Sequence, residues 1–448
     1  MVHHPSPSPV HAPPARPHPA AGDRQSLLNA RIFRRLMPLL VLSYVISFID
    51  RTNIALAKSH IEVDLGISAA AYGLGAGLFF LSYALLEVPS NLIMHRVGAR
   101  FWITRIMVTW GLLSAGMAFI TGETSFYVMR VLLGAAEAGL FPGVMLYLTY
   151  WFGREERARA IGYFLLGVCI ANILSGPVGG ALLQMDGFLG WHGWQWMFVI
   201  EGLPAVALAW VVWKKLPDGP ASAPWLTAAE SREVLQRLQA EQDQQASAGQ
   251  VGHSLRDCLR DRQIWLAILV YFCHQISIYT VIFFLPGIIG TYGQLSPLQI
   301  GTLNSVPWIA AAIGAAWLPR FATHPQRCRR MLLAGLGTMA AGLLLAALAG
   351  KASPALGLLG FSLTALMFFV VQSVVFLFPA SRLAGAGLAG GIALVNTCGL
   401  VGGFIGPTVM GMIEQATGST RNGLFIMAGL LVVAALASTR LRQGQETR

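Results

Sequence analysis

The sequence predicts an all-α membrane protein with twelve transmembrane helices, arranged as two six-helix pseudo-repeats with both termini in the cytoplasm. Three observations lead to this prediction: few charged residues, recurrent apolar runs of roughly 20 residues, and an uneven distribution of basic residues between those runs. Of the 448 residues, 55% are hydrophobic and 11% are charged, whereas soluble domains carry roughly 25% charged residues. The composition argues against a soluble multidomain enzyme, a nucleic-acid binder and a disordered scaffold.

Residues 1–30 are expected to form a disordered cytoplasmic tail, because residues 1–25 contain seven Pro and four His and cannot bury a hydrophobic core. Apolar runs long enough to cross about 30 Å of hydrocarbon then lie near residues 35–56, 70–94, 101–121, 125–149, 158–184, 195–214, 263–290, 298–319, 328–349, 353–378, 384–412 and 421–441. The first six runs define an N-terminal bundle (31–214) and the last six a C-terminal bundle (263–441), followed by a short cytoplasmic tail (442–448).

The basic residues set the predicted orientation. With both termini inside, the cytoplasmic segments carry most of the Arg and Lys residues between spans, whereas the outer segments carry only Lys58, Lys351 and Arg421. Basic residues are retained on the cytoplasmic side of a membrane. An even number of spans with both ends inside is therefore favoured.

A polar connection, residues 215–262, separates the two bundles and is expected to lie in the cytoplasm. Within it, Thr227 and Glu230 have the spacing of a helix capping box. The two bundles also resemble each other, because Gly176-Pro177 recurs 230 residues later as Gly406-Pro407. Parallel repeats of this kind place a binding site midway between the halves.

Charged and polar side chains inside the predicted spans are the candidate functional residues, because an ionisable group in the bilayer costs ~2.5–3.5 kcal/mol on insertion scales. In the N-terminal half these are Asp50, Arg51, Tyr83, Glu87, Arg130, Glu137 and Glu201, and in the C-terminal half they are the uncharged residues His274, Gln275, Tyr279, Asn304, Gln372 and Asn396.

Helical geometry relates the charged candidates to one another. Arg130 and Glu137 are seven residues apart, which places them on one helix face about 10 Å apart along the axis. Small residues around them allow neighbouring helices to approach. Asp50 and Arg51 are adjacent and point about 100° apart, so each is expected to address a different partner.

These groups can couple anion binding to proton binding without a covalent step. Once a substrate anion occupies an arginine, that arginine no longer stabilises ionised Asp50 or Glu137, and the carboxylates take up protons. The alternative is a fixed ion-pair lattice that only holds helices together. Buried pairs contribute little net stability compared with apolar replacements, which weakens that alternative.

The other candidates have less specific patterns. Glu87 and Glu201 lie near the ends of their spans and favour a structural or gating role. His274 is either part of a proton path or a neutral buried imidazole. Four further residues are candidates for contacts with substrate: Tyr83, Gln275, Tyr279 and Asn396.

No cofactor, metal ion or nucleotide is expected. The five Cys form no CxxC pair, and the His residues of a mobile tail give no fixed metal geometry. No phosphate-binding loop of the Walker type occurs, which argues against ATP-driven transport.

Several motifs occur in order along the chain. They are Phe48-Ile-Asp-Arg-Thr-Asn-Ile54, Pro89-Ser-Asn91 with His95-Arg-Val-Gly-Ala-Arg100, Arg130 with Glu137-Ala-Gly-x-Phe-Pro-Gly143, Trp194-Gln-Trp-Met-Phe-x2-Glu-Gly-Leu-Pro204, Gly390-Gly-Ile-Ala-x2-Asn-x2-Gly399 and Gly403-x2-Gly-Pro407. As a set, covering roughly residues 30–440, they resemble the anion:cation symporter branch of the major facilitator superfamily. Bacterial members of that branch import organic acids such as sugar acids, tartrate and aromatic acids.

The resemblance implies that Asp50 and Glu137 carry the coupled protons, that Arg51 contacts the substrate carboxylate, and that Arg130 supports Glu137. Three further residues match cavity-facing positions of the family: Tyr83, Tyr279 and Asn396. His95 stands where the superfamily signature has an Asp, so the usual acidic pairing of that loop is in question here.

The sequence thus predicts a transporter of the bacterial inner membrane, functional as a monomer, that imports an organic carboxylate with protons by alternating access. Its partners are the substrate anion, protons and the lipid bilayer, with no nucleic acid. The predicted proton-coupling residues are Asp50 and Glu137, and the predicted substrate-binding residues are Arg51, Tyr83, Arg130, His274, Gln275, Tyr279 and Asn396. Two alternatives stay open: a proton-driven exporter of a metabolite or drug, and a transporter-like sensor that binds ligand without moving it.

Overall fold

The computed structural model describes residues 21–247, 255–322, 324–383 and 385–442, and the remaining parts of the two predicted tails lie outside these residues. Residues 21–30, which the sequence assigns to the first tail, form the first turns of α1 (Ala21–Leu65). Leu28 is buried, and the Asn29 side chain donates a hydrogen bond to Glu156 Oε1 at 2.7 Å. These contacts hold the start of α1 against the bundle.

The N-terminal half continues with helices that cross the bundle back and forth. They are α2 (Ala69–Val97), α3 (Ala99–Gly116), α4 (Glu123–Glu137), α5 (Leu140–Thr149), α6 (Arg154–Leu183) and α7 (Gly193–Lys215). The predicted span 125–149 is divided between α4 and α5, because Gly139 has a φ of 92°, a left-handed conformation that glycine adopts at little cost. This break lies two residues after Glu137.

The central connection contains two helices, α8 (Ala228–Ser247) and α9 (Leu255–Arg260). The predicted capping box is confirmed, since Glu230 N donates to Thr227 Oγ1 at 3.2 Å and Thr227 N donates to Glu230 Oε2 at 2.9 Å. Arg31 Nη1 lies 2.9 Å from Glu230 Oε1. This ion pair ties α8 to the start of α1.

The C-terminal half contains α10 (Arg262–Gly290), α11 (Pro297–Trp317), α12 (Pro325–Ala349), α13 (Pro354–Arg382), α14 (Gly385–Thr417) and α15 (Arg421–Ser438). Asp261 caps α10 by accepting a hydrogen bond from Gln263 N at 2.8 Å. Ser296 caps α11 in the same way, with Gln299 N as donor at 3.3 Å. Both residue types are preferred at this position because a side-chain oxygen can satisfy a free N–H of the first turn.

Eleven helical segments among the described residues are long and apolar enough to cross a membrane, with α4 and α5 taken together as one. The predicted span 298–319 corresponds to α11, which has 21 residues but is not among the eleven. Its polar residues Gln299 and Asn304 and its two prolines lower its mean hydropathy. By this criterion, eleven of the twelve predicted spans are found among the described residues, and the full number of twelve is not confirmed.

The two halves repeat one helix arrangement. In the first half, α1 packs against α6 and α7, α3 against α7, and α2 against α4. In the second half, α10 packs against α14 and α15, α12 against α15, and α11 against α13. These are equivalent pairs if α10 corresponds to α1, which supports a duplicated unit. The halves meet through α2 with α14, α6 with α11, and α1 with α10.

The halves are in close contact toward one end of the bundle and apart toward the other. We call the end that carries both described termini and the described parts of residues 215–262 the loop end, and the opposite one the far end. In the far-end part, a Cβ added to Gly301 would overlap Gly176 O, and one added to Gly73 would overlap Pro407 O. Toward the loop end, a cavity of about 330 Å³ separates α2 and α5 from α14. The bundle is therefore open toward the loop end.

Candidate functional site

A buried ion pair joins α1 to α4 inside the N-terminal half. Arg51 Nη2 lies 2.5 Å from Glu137 Oε1, and these two residues are only 7% and 2% exposed. Ser47, one turn before Arg51, donates its hydroxyl to the same Glu137 oxygen. Hydrogen bonds between charged partners are the strong ones in proteins, so this pair fixes the positions of both side chains.

Aromatic rings surround the Arg51 guanidinium. Its Cζ lies 4.7 Å from the ring centroid of Phe48 and 5.2 Å from those of Phe79 and Tyr83, which are cation–π distances. The Arg51 Nε is buried and has no hydrogen-bond partner. Arg51 therefore keeps an unused donor inside an apolar enclosure, and an anion brought to it would interact strongly. We call Arg51 and the three rings of Phe48, Phe79 and Tyr83 the arginine box.

Tyr279 brings the C-terminal half to the arginine box. Its ring centroid lies 4.3 Å from that of Phe80 on α2, and its side chain interacts electrostatically with Arg51. The box is thus at the contact between the two halves, which is where a duplicated transporter unit places its binding site.

Asp50 points away from the box, as expected for the neighbour of Arg51 on a helix. Its Oδ2 accepts a hydrogen bond from Trp110 Nε1 at 2.7 Å, and its Oδ1 accepts one from Ser114 Oγ at 2.9 Å. Both donors lie on α3, and Asp50 is 2% exposed. The carboxylate is therefore held by neutral donors in the interior of the N-terminal half, on a different face of α1 from Arg51.

Within the described residues, Arg130 makes no hydrogen bond to Glu137 and influences that carboxylate as a nearby charge, so its supporting role stays a prediction. Its Nε donates to Gly75 O at 3.2 Å and its Nη2 donates to Ala76 O at 3.3 Å, both on α2. Two helical turns separate Arg130 from Glu137 by about 10 Å, and the side chain extends toward α2 instead. Its Cζ lies 4.9 Å from the ring centroid of Phe79, so Arg130 borders the arginine box through that ring.

In the C-terminal half, Gln275 belongs to a polar group with Gln372, which is one of the predicted candidates, and with Tyr271, which is not. Gln275 Nε2 donates to Tyr271 Oη at 3.0 Å, and Gln372 Nε2 donates to the same oxygen at 3.3 Å. The Oε1 atoms of both glutamines are buried without a partner. The spacing of Tyr271 one helical turn before Gln275 could have indicated this contact. A tyrosine in an apolar span, however, does not by itself suggest a polar site.

His274 lies apart from the arginine box. It is fully buried, its Nε2 lies 3.2 Å from Phe368 O on α13, and its ring stacks on Phe368 with centroids 5.1 Å apart. The structure therefore places His274 inside the C-terminal half, where the neutral-imidazole interpretation fits its surroundings better than a contact with substrate.

Asn396 and Glu87 face the loop-end cavity from opposite halves. The cavity of about 330 Å³ is lined by both residues, together with Asn91, His95 and Pro142 among others. Asn396 is half-buried there. These residues lie along the opening between the halves rather than in the arginine box, which agrees with a gating position for Glu87.

Glu201 is buried on the Asp50 side of α1. It is 5% exposed, and neither carboxylate oxygen has a hydrogen-bond partner. A Cβ added to Gly179 of α6 would lie 3.4 Å from Glu201 Oε1, so the carboxyl group is enclosed by α1, α6 and α7.

A second, partly exposed ion-pair group joins the halves in the far-end part of the bundle. Lys58 Nζ lies 2.9 Å from Glu62 Oε1 on α1 and 2.9 Å from Glu414 Oε2 on α14. The ammonium also lies over the rings of Tyr72 and Phe284, at 5.4 and 5.3 Å. This group was not predicted from the sequence, because the predicted spans 35–56 and 384–412 end before Lys58 and Glu414 and leave both residues in outer connections.

Replacing Glu414 by Gln is expected to loosen the far end, because this carboxylate is the one that joins Lys58 to the C-terminal half. Losing a partly exposed ion pair of about 1 kcal/mol would raise the population of far-end-open molecules about five-fold. Hydrogen–deuterium exchange of the far-end turns of α1 and α14 measures this change. Glu62→Gln is the matched control, since it removes a partner of Lys58 within α1, and equal exchange in both variants would contradict the role of Glu414.

The chain is similar to known transporter proteins. The sequence model of the Major Facilitator Superfamily matches residues 40–407. A protein of Agrobacterium vitis named "Putative tartrate transporter" is 40% identical, over 93% of this chain and 95% of its own length. A "Quinolone resistance transporter" of Acinetobacter baumannii is also 40% identical, over 92% of this chain and 95% of its own.

The fold is also shared with solved transporter structures. The xylose transporter XylE from E. coli, in its inward open conformation, matches with a TM-score of 0.72 over 91% of this chain and 95% of that chain, at 14% sequence identity. At this identity the likeness concerns the fold.

Proposed function

Because the chain belongs to the Major Facilitator Superfamily, we propose that it imports an organic carboxylate together with protons by alternating access. Its relatives and its fold are those of membrane transporters, so the chain is a multi-pass membrane transporter and not an enzyme. The proposal concerns the substrate class, the proton coupling and the direction of transport.

The observation that carries the proposal is the buried Arg51–Glu137 pair at the contact between the halves. A guanidinium enclosed by aromatic rings, with a free Nε, can bind a carboxylate through two parallel N–H groups. The apolar surroundings strengthen that interaction. A pair that served only to hold helices together would gain little over apolar residues of similar volume.

Substrate binding is proposed to exchange the partner of Arg51. When the substrate carboxylate takes the guanidinium, Glu137 retains the Ser47 hydroxyl but loses its cation. A buried carboxylate without a cation is costly, so Glu137 takes up a proton. Anion and proton are then carried together, and release of both restores the ion pair.

Asp50 is proposed to carry a second proton. Both its oxygens accept hydrogen bonds from neutral donors of α3, so its charge depends on protonation rather than on an ion-pair partner. With Asp50 and Glu137 both protonated, import of a dicarboxylate would be electroneutral. The donors Trp110 and Ser114 link this proton to the position of α3.

The asymmetry between the two ends supports alternating access. The close Gly–Gly approach of α6 and α11 and the Lys58–Glu414 pair hold the far end closed, and the cavity near Asn396 opens toward the loop end. We propose that the loop end faces the cytoplasm of a bacterial cell and that one chain is the transporting unit. We also propose that α11 spans the membrane, which brings the number of spans to twelve.

Uptake into right-side-out membrane vesicles tests the proposed function. With acid outside, we expect accumulation of a labelled organic acid from a panel of L-tartrate, a sugar acid and phthalate, and loss of accumulation when a protonophore collapses the gradient. Tartrate is included because of the name of the Agrobacterium vitis relative. Uptake of a panel member that does not respond to the proton gradient would contradict the coupling. Saturable binding without counterflow would indicate a ligand sensor instead.

A proton-driven exporter is the second candidate, and the relative named for quinolone resistance favours it. The same vesicles distinguish the two functions. An inward proton gradient drives accumulation by a symporter, whereas it drives depletion of preloaded compound by an exporter. A fluorescent quinolone is the probe for that second arm.

A further inference from the structure

Five arginines line a groove at the loop end of the C-terminal half. The groove has a volume of about 590 Å³ and lies between the first turn of α10, the start of α12, the end of α13 and the residues after α15. Its arginines are Arg262, Arg329, Arg382, Arg440 and Arg442. This concentration of charge is remote from the arginine box and plays no part in the proposed transport mechanism.

The positive charge of this groove is mostly uncompensated. Arg382 Nε pairs with Asp261 Oδ2 at 2.8 Å, but its Nη1 is buried without a hydrogen-bond partner. Within the described residues, the other four arginines have no carboxylate at ion-pair distance. Several like charges around one groove repel each other, and a buried donor without a partner costs free energy. An anion in the groove would reduce the repulsion between the arginines and would accept a hydrogen bond from Arg382 Nη1.

The backbone holds this arrangement in place. Gln263 Nε2 donates to Arg440 O at 3.3 Å, and Arg442 N donates to Gln263 Oε1 at 2.8 Å. These bonds fix the residues after α15 against the first turn of α10. The N-terminal ends of α10 and α12 add partial positive charge to the same place. The groove is therefore positioned by the fold and not by long side chains alone.

The groove lies at the level where apolar helices begin. Leu266 forms part of its lining, and Trp265 beside it is 49% exposed, which is typical of the lipid interface. Arginine binds phosphate through two parallel N–H groups, and basic pockets between transmembrane helices on the cytoplasmic side bind anionic headgroups. We propose that this groove binds the phosphate headgroup of an anionic phospholipid, with cardiolipin as the lipid whose two phosphates engage the most arginines.

Native mass spectrometry of the purified full chain tests the proposal by titration with cardiolipin, phosphatidylglycerol, phosphatidylethanolamine or inorganic phosphate. We expect retention of cardiolipin and weaker retention of phosphatidylethanolamine. The double variant R329Q/R440Q should bind cardiolipin about 30-fold more weakly. Each basic residue near an anionic surface contributes a factor of about 5 to the affinity, and the two factors multiply. R35Q/R96Q removes the same charge from exposed positions of the N-terminal half at the same end, and it should leave binding unchanged.

Three results would overturn the proposal. Equal weakening in both double variants would show general attraction by the basic end of the protein. Equal retention of cardiolipin and phosphatidylethanolamine would show that the headgroup charge is not recognised. Occupancy by inorganic phosphate in place of lipid would assign the groove to a soluble phosphate compound. R329K/R440K, which keeps the charge but not the planar donor pair, should bind with intermediate affinity and shows that loss of binding is not loss of fold.

Discussion

Replacing Arg51 by Ala is expected to abolish carboxylate uptake. The substitution removes the guanidinium that the substrate would occupy and leaves Glu137 buried with only the Ser47 hydroxyl as a donor. Truncating one side of a buried hydrogen-bonded charge pair typically costs about 3 kcal/mol, which is about 100-fold in affinity. Equilibrium binding of a transported acid to the purified variant measures the loss directly.

The charge-preserving variant Arg51→Lys separates the binding role of Arg51 from its role in stability. Lysine keeps the cation in the arginine box but has no Nε and no planar donor pair, so we expect folded protein with weakened binding. Wild-type affinity in both Arg51 variants would place the substrate elsewhere. Loss of folded protein in Arg51→Ala alone, with normal uptake by Arg51→Lys, would show that only the charge matters.

Replacing Glu137 by Gln is expected to separate transport from the proton gradient. The neutral side chain resembles a protonated Glu137, so Arg51 is free for substrate without proton uptake. Binding and counterflow should persist with little dependence on pH, whereas accumulation driven by an inward proton gradient should fall to equilibration. Counterflow and gradient-driven uptake, measured on the same proteoliposomes, distinguish these two activities.

Glu87→Gln is the matched control for Glu137→Gln. Glu87 lies in the same half and lines the loop-end cavity, but it is not the partner of Arg51. We expect this variant to keep gradient-driven accumulation. If Glu87→Gln were uncoupled and Glu137→Gln were coupled normally, the coupled proton would be assigned to Glu87 at the loop-end cavity.

The overall helical architecture could be predicted because a bilayer imposes long apolar helices whose backbone groups are satisfied internally. The predicted spans 70–94 and 263–290 correspond closely to α2 and α10. The ends of the helices were harder to predict, because turns beyond the hydrocarbon stay helical when they pack on neighbouring helices. An example is α1, which extends from Ala21 to Leu65. The break at Gly139 was also hidden, because a glycine inside an apolar run does not reveal its φ.

The charged candidates of the site could be found from the cost of burying them, but their partners could not. Adjacency correctly indicated that Asp50 and Arg51 have different partners. Sequence spacing suggested a relation between Arg130 and Glu137, but it could not show that Arg51 from another helix forms the ion pair with that carboxylate. The contact between Lys58 and Glu414 joins residues far apart in the chain, and only the packing of α1 against the C-terminal half brings them together.

The proposed mechanism requires that a substrate carboxylate replaces Glu137 at Arg51 and that a proton follows. Mixing the purified transporter with a transported acid in weakly buffered solution, with a pH indicator present, measures this step without a membrane. We expect saturable proton uptake that follows ligand occupancy in the wild type and decreases in Glu137→Gln. Saturable binding of the acid to the wild type with no change in proton concentration would contradict it.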